Sequence, residues 1–312
     1  MDTITLGRTG LQATVMGLGA GGPSRLGQAT GRSEAESVAV VRAALDLGVN
    51  FFDTAENYGT ETIVGKALAG VPRDRFILST KKGLRRGDHL NSPAEMHEGV
   101  EAALRRLGLE TIDIFHLHGV RDQDYDYAVN EIVPVLHRLR DQGKIRFLGI
   151  TENFGSETTH AMLRRAVQDD YWDVMMVGFN LLNQTARTTV FPATQAKQIG
   201  VLIMFAVRRA LSDLATLRAT LDSLIAAGQV DPTDLDEPPL SFAHGPGIAA
   251  SLTEAAYRYC RYEPGAHVIL SGTGNVAHLA ENARALQQPP LPADVTARLN
   301  RIFARVDSIS DN

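Results

Sequence analysis

The chain has 312 residues, 44% hydrophobic and 21% charged, the profile of a globular protein able to bury a large core. A net charge of −5 leaves no basic footprint for nucleic acid and no polybasic run for a membrane surface, and no apolar run approaches the ~18 residues of a span. One cysteine, Cys260, excludes an internal disulfide, and the opening "MDTITLGRTG" has no leader pattern, so a reducing, cytoplasmic setting is expected.

In chain order, "ITLGRTGLQATV" reads as a small hairpin. Short apolar runs of strand type follow: "TVMGLG", "VNFFD", "FILST", "TIDIFHLH", "IRFLGIT", "WDVMMVGF", "VLIMFAV" and "HVILSG". Helical periodicity separates them. Ser33 to Leu47 carries apolar residues at 38, 41, 44, 45 and 47 with acids in its first turn. Ser92 to Leu107 opens "SPAE", a capping box with proline at the first helical position. Asn130 to Gln142, Ser156 to Gln168 and Asn275 to Leu286 read as helices too.

The runs recur roughly every 35 residues, close to the length of one strand–helix–strand unit. Eight units in succession predict a closed (β/α)8 barrel, a TIM barrel of the α/β class, spanning 1–312 as one domain. The interval between strands seven and eight is about twice the usual length for such a unit. It holds extra helices over Leu211 to Ala227 and Ser251 to Tyr262, and Pro292 to Val306 reads as a final helix. The N-terminal hairpin is expected over the barrel floor.

Barrel active sites gather at the carboxyl ends of the strands. Asp53 ends strand two and Tyr58 follows it; Lys81 ends strand three and His118 ends strand four. A phenol is a weak acid, with a pKa of about 10, and a nearby ammonium favours its ionised form. A carboxylate keeps that ammonium charged, and an imidazole beside it orients a substrate oxygen. This set suits protonation of a carbonyl oxygen while hydride arrives at carbon, or the reverse. Side chains do not donate hydride, so a nicotinamide cofactor is implied.

The stretches "FFDTAENYG", "ILSTKKG", "IDIFHLHG", "GKIRFLGIT" and "VILSGTGNVAHLAEN", in that order along nearly the whole chain, resemble the motifs of the aldo-keto reductase family. "LGRTGLQATVMGLGAGG" and "LDLGVNFFDTA" resemble the branch that includes bacterial aldo-keto reductases and galactose dehydrogenases. The resemblance implies a TIM barrel that reduces aldehydes or ketones with NADPH or NADH. It makes Tyr58 the general acid, Lys81 its modulator, Asp53 the partner of Lys81 and His118 the group that orients the carbonyl. Lys82 is not chosen, because it points to the other face of the strand.

The cofactor side departs from the family pattern. Where relatives offer Ser-Asn after strand five and Gln on strand six, this chain has Thr151-Glu152 and Met176, with Thr151 the expected contact and Asn153 one residue on. Phe205 stands near the place of an aromatic that stacks on nicotinamide, and core packing accounts for it equally well. Arg208 and Arg209 replace a serine-proline-leucine turn and suit a pyrophosphate or a 2′-phosphate. After strand eight, Ser271, Gly272, Thr273 and Asn275 are candidates to meet an anion at a helix start, with Glu281 and Asn282 toward the adenine. Gly272 and His278 hold places where NADPH-preferring relatives often carry Lys or Arg. NADP(H) is the favoured expectation through the arginines, with NAD(H) the alternative.

Two other readings remain at this point. His116-x-His118 resembles the paired ligands of barrel metallohydrolases, but His160, His244, His267 and His278 are not placed at the other strand ends, so no metal is expected. A nucleotide-binding regulatory subunit with slow chemistry is the second. The expected partner is a small aldehyde, ketone or sugar, with a dehydrogenase acting oxidatively on a galactose-type sugar as the alternative direction.

Overall fold

The computed structural model describes residues 1–310. Eight parallel strands close into a barrel: β1 (Met16–Gly19), β2 (Phe51–Asp53), β3 (Ile77–Gly83), β4 (Ile112–Val120), β5 (Ile145–Glu152), β6 (Val174–Gly178), β7 (Gly200–Met204) and β8 (Val268–Ser271). Each pairs with its neighbour in sequence, and β8 pairs with β1 to complete the ring. All eight apolar runs are strands of this ring. Runs of this kind are the expected signature of parallel strands buried on both faces.

Helices cover the outside: α1 (Glu34–Asp46), α2 (Glu61–Leu68), α3 (Pro93–Leu107), α4 (Val133–Asp141), α5 (Ala161–Ala166) and α6 (Phe191–Ala196). Then come α7 (Leu214–Ala226), α8 (Leu252–Arg261), α9 (Val276–Ala285) and α10 (Ala293–Ile302). The capping boxes form as expected: Ser33 with Glu36 starts α1, and Ser92 with Glu95 starts α3. A wide turn over Ala128–Ile132 delays α4 to Val133.

One helix differs more. The segment expected to be helical over Ser156–Gln168 is helical only at Ala161–Ala166. His160 adopts a left-handed backbone (φ 63) that buries its ring, and a helix cannot run through that conformation.

Two apolar layers result. The barrel interior holds Phe51, Ile77, Ile114, Val174, Met176, Leu202 and Val268, and the larger layer lies between strands and helices. The N-terminal hairpin, Thr3–Thr5 with Gln12–Thr14, closes the amino end of the barrel. Its Leu6 and Ala13 join the interior layer, with Leu6 against Gly200 at the start of β7. No helix among the described residues is long and apolar enough to cross a membrane.

Candidate active site

Strand alternation on β2 sends Phe52 outward to the helices and Phe51 and Asp53 toward the axis. The next strands continue that inward row: Asp53 stands beside Ser79, and Lys81 beside His116. Lys81 Nζ donates to Asp53 Oδ2 at 2.6 Å and to the Thr54 carbonyl at 2.8 Å, while Ser79 Oγ donates to Asp53 Oδ1 at 2.8 Å. The pair is sealed from solvent, with the Lys81 side chain 0% and the Asp53 side chain 4% exposed. Lys82, one residue on, faces away and pairs with Glu56 at 2.8 Å.

Tyr58 lies in the turn after β2, and Gly59 (φ 73) closes that turn. The Tyr58 ring rests on the bare backbone of Gly21, where a Cβ would collide with it. Its hydroxyl is 3.4 Å from His118 Nε2, the two rings meet edge to face at 88°, and Lys81 Nζ is 5.0 Å from the Tyr58 ring centre. Phenol, ammonium, carboxylate and imidazole therefore stand together at one end of the barrel.

Burial opposes the charge on Lys81, but the Asp53 carboxylate and then the Tyr58 oxygen outweigh it, so its pKa is raised. Burial likewise raises the Asp53 carboxyl against the pull of Lys81 and Ser79. Burial, and then the Lys81 charge, push His118 down to about 3, so the imidazole is neutral at ordinary pH. His116 sits fully buried one step deeper against Gly149, with neither ring nitrogen hydrogen-bonded. Burial holds its pKa well below the ordinary histidine value. Among the described residues no three His, Cys, Asp or Glu side chains gather as a metal site.

From Tyr58 and His118 a cleft of about 1510 Å³ crosses the carboxyl ends of β5 to β8 and reaches α9. It is lined by Thr151, Glu152, Met176 and Phe205, by Arg208 and Arg209, and by Gly272, Thr273, Glu281 and Asn282. Thr151 Oγ1 accepts from the Gly119 N–H at 2.7 Å, which leaves its own proton to donate. Gly272 is exposed on the rim, so backbone there is open to a ligand.

Other candidates are already engaged. Glu152 accepts from the Gly178 N–H at 2.8 Å and meets His160 Nδ1 at 2.9 Å, so its carboxylate is turned into the core. Ser271 is buried outside the cleft wall, its Oγ 2.9 Å from the Tyr257 hydroxyl and accepting from Asn282 Nδ2 at 3.0 Å. The Asn275 side chain caps α9 by accepting from the Ala277 N–H at 2.8 Å. Each of these diversions satisfies a buried or helix-end polar group that would otherwise be orphaned.

Sequence reasoning passed over Ser79, Thr54 and Gly21. Strand alternation was the available signal for Ser79, two residues before Lys81 on the same face. Thr54 acts through its carbonyl and Gly21 through the absence of a side chain, and neither carries a residue-type signal.

Residues 15–304 match the sequence profile described as "Aldo/keto reductase family". The chain is 30% identical over 290 residues to an L-galactose dehydrogenase of Arabidopsis thaliana, covering 91% of this chain and 87% of that one. It is 33% identical over 222 residues to a D-threo-aldose 1-dehydrogenase of Pseudomonas sp, covering 62% of this chain and 65% of that one. In fold it is similar to the holo form of an aldo-keto reductase from Bacillus halodurans (TM-score 0.74, 22% identity, 99% of each chain). It is similar too to an aldo-keto reductase from Klebsiella pneumoniae in complex with NADPH (TM-score 0.72, 23% identity, 99% of each chain). With this match over nearly its whole length, the chain belongs to the aldo/keto reductase family of NAD(P)H-dependent oxidoreductases.

Proposed function

We propose that this chain, acting as one catalytic domain, reduces an aldehyde or ketone to an alcohol, with Tyr58 as the general acid. The observation that carries the reading is the Tyr58 hydroxyl 3.4 Å from a neutral His118, above the sealed Lys81–Asp53 pair. The Nε2–H form of His118 holds the carbonyl oxygen, and Tyr58 gives that oxygen its proton. Lys81 stabilises the phenolate that results, and the cleft lets solvent restore the proton. Asp53 and Ser79 keep the ammonium charged and fixed.

A bound nicotinamide dinucleotide supplies the hydride. The residues present fit it: Thr151 offers a hydroxyl, Arg208 and Arg209 offer charge to phosphates, and Gly272 and Thr273 offer backbone beside α9. Glu281 and Asn282 line the far end, toward the adenine. We favour NADP(H) on the two arginines. Gly272 and His278 at the β8 turn, together with the exposed Glu281, favour NAD(H) as the second reading.

The reverse reaction, oxidation of a sugar lactol, is supported by the likeness to the two sugar dehydrogenases. The test is titration with NADPH and NADH, then a panel of aldehydes, ketones and sugar lactols. Single-turnover oxidation of bound cofactor by a carbonyl supports the reading. Tight cofactor binding with no turnover in either direction refutes it and favours a regulatory nucleotide-binding role.

A further inference from the structure

A column of flat groups runs from the core to the cleft rim. At its inner end Glu152 holds His160, whose other ring nitrogen is 2.9 Å from Thr185 Oγ1. The His160 ring stacks on Phe154 (5.2 Å between centres, 9° between planes), and Phe154 stacks on Phe205 (5.7 Å, 22°). At the outer end the Arg208 guanidinium lies 4.3 Å from the Phe205 ring centre. Every link is restrained. His160 and Phe154 are buried, Phe154 rests where a Cβ on Gly178 would collide with it, and Asn180 Nδ2 donates to the Phe205 carbonyl at 3.2 Å.

Both His160 (φ 63) and Phe205 (φ 67) hold left-handed backbone that non-glycine residues rarely adopt. Such strain persists only where the surroundings over-determine it, and it concentrates at functional sites. A long arginine side chain is costly to order, and an aromatic ring beside its guanidinium restrains that group before a ligand arrives. The Glu152 carboxylate is thus spent on architecture at the place where a cofactor contact was expected.

We propose that the Glu152–His160 pair positions Arg208 for a phosphate of the bound dinucleotide, acting through Phe154 and Phe205. This rests on the reading that the cleft holds a nicotinamide dinucleotide. His160 and Glu152 are positioning residues; Arg208 is the group that meets the ligand.

The test is a double-mutant cycle read by calorimetric binding of NADPH, NADH and ADP-ribose. Arg208→Ala is expected to weaken ADP-ribose about tenfold in the native background, the loss of one charge-assisted hydrogen bond. In a His160→Ala background the same substitution is expected to cost no more than about twofold, since neighbours in one network couple. Arg209→Ala serves as the control and is expected to cost the same in both backgrounds. Where His160→Ala does not fold, Phe154→Leu carries the same comparison, because it removes one ring and leaves the buried pair.

An equal Arg208→Ala loss in both backgrounds overturns the proposal, and so does no loss in the native one. Native protein that binds none of the three ligands overturns the dinucleotide reading beneath it. Binding without coupling overturns the column alone.

Discussion

The half of the barrel from β1 to β4 and the half from β5 to β8 face the same mouth but handle charge differently. In the first, Asp53 and Lys81 are locked into the wall at 2.6 Å and braced by Ser79 and Thr54. In the second, arginines stand at the rim and the acidic Glu152 is drawn inward to meet His160. Proton transfer needs fixed distances, which buried, fully bonded groups provide. Holding a large ligand spreads the work over many contacts, so individual residues there can be reassigned to packing.

The largest effect that tests this contrast is expected from Tyr58→Phe. Turnover is expected to fall by about 10²–10⁴, the usual worth of a positioned acid, while dinucleotide affinity is retained. A near-native rate would break the assignment of the acid and with it the distinction between the halves.

Next comes Lys81→Met, which leaves the Asp53 carboxylate buried without its partner. A loss of about 3–5 kcal/mol in urea unfolding is expected together with lost activity. Unchanged stability would mean that the pair is not part of the barrel's architecture.

Gly21→Ala is smaller. It pushes the phenol off its backbone bed and is expected to cost roughly tenfold in kcat, with little change in dinucleotide affinity. Equal losses in both would move Gly21 to the binding half.

Acid should also weaken the first half. His116 and His118 are neutral in the native barrel, with His118 down to about 3, whereas an unfolded histidine takes a proton near pH 6.5. Their contribution is therefore complete above about pH 6.5 and is lost progressively as pH falls below it toward each histidine's depressed native value. Urea midpoints from pH 8 to pH 4 check the sign, and His116→Gln should flatten the slope.

The smallest effect belongs to the rim. Arg208→Ala with Arg209→Ala is expected to weaken NADPH several-fold more than NADH, in line with one charge-assisted contact to the 2′-phosphate. Equal losses would assign both arginines to the phosphates the two cofactors share.

These contrasts explain what could be seen in the chain beforehand. The eight strands were legible because each is a short apolar run bounded by helical periodicity. Asp53, Tyr58, Lys81 and His118 were legible because reactive types end consecutive strands. The Ser156–Gln168 segment was misread, since its apolar spacing suits a helix while His160 obeys a distant partner, Glu152. The Phe154–Phe205 stack left no periodic trace, because it joins two loops far apart in sequence. Ser271 and Asn275 were expected to meet the cofactor from their place in the motif, but their side chains satisfy Tyr257, Asn282 and a helix end.

The hairpin that seats Leu6 and Ala13 in the base of the barrel has a kinetic consequence. With that end stoppered by the hairpin, the cleft at the carboxyl ends of the strands is the doorway that the described residues present to the reactive centre. Whatever settles deepest must arrive before, and depart after, whatever is laid over it, so the order of traffic follows from the architecture of the vessel.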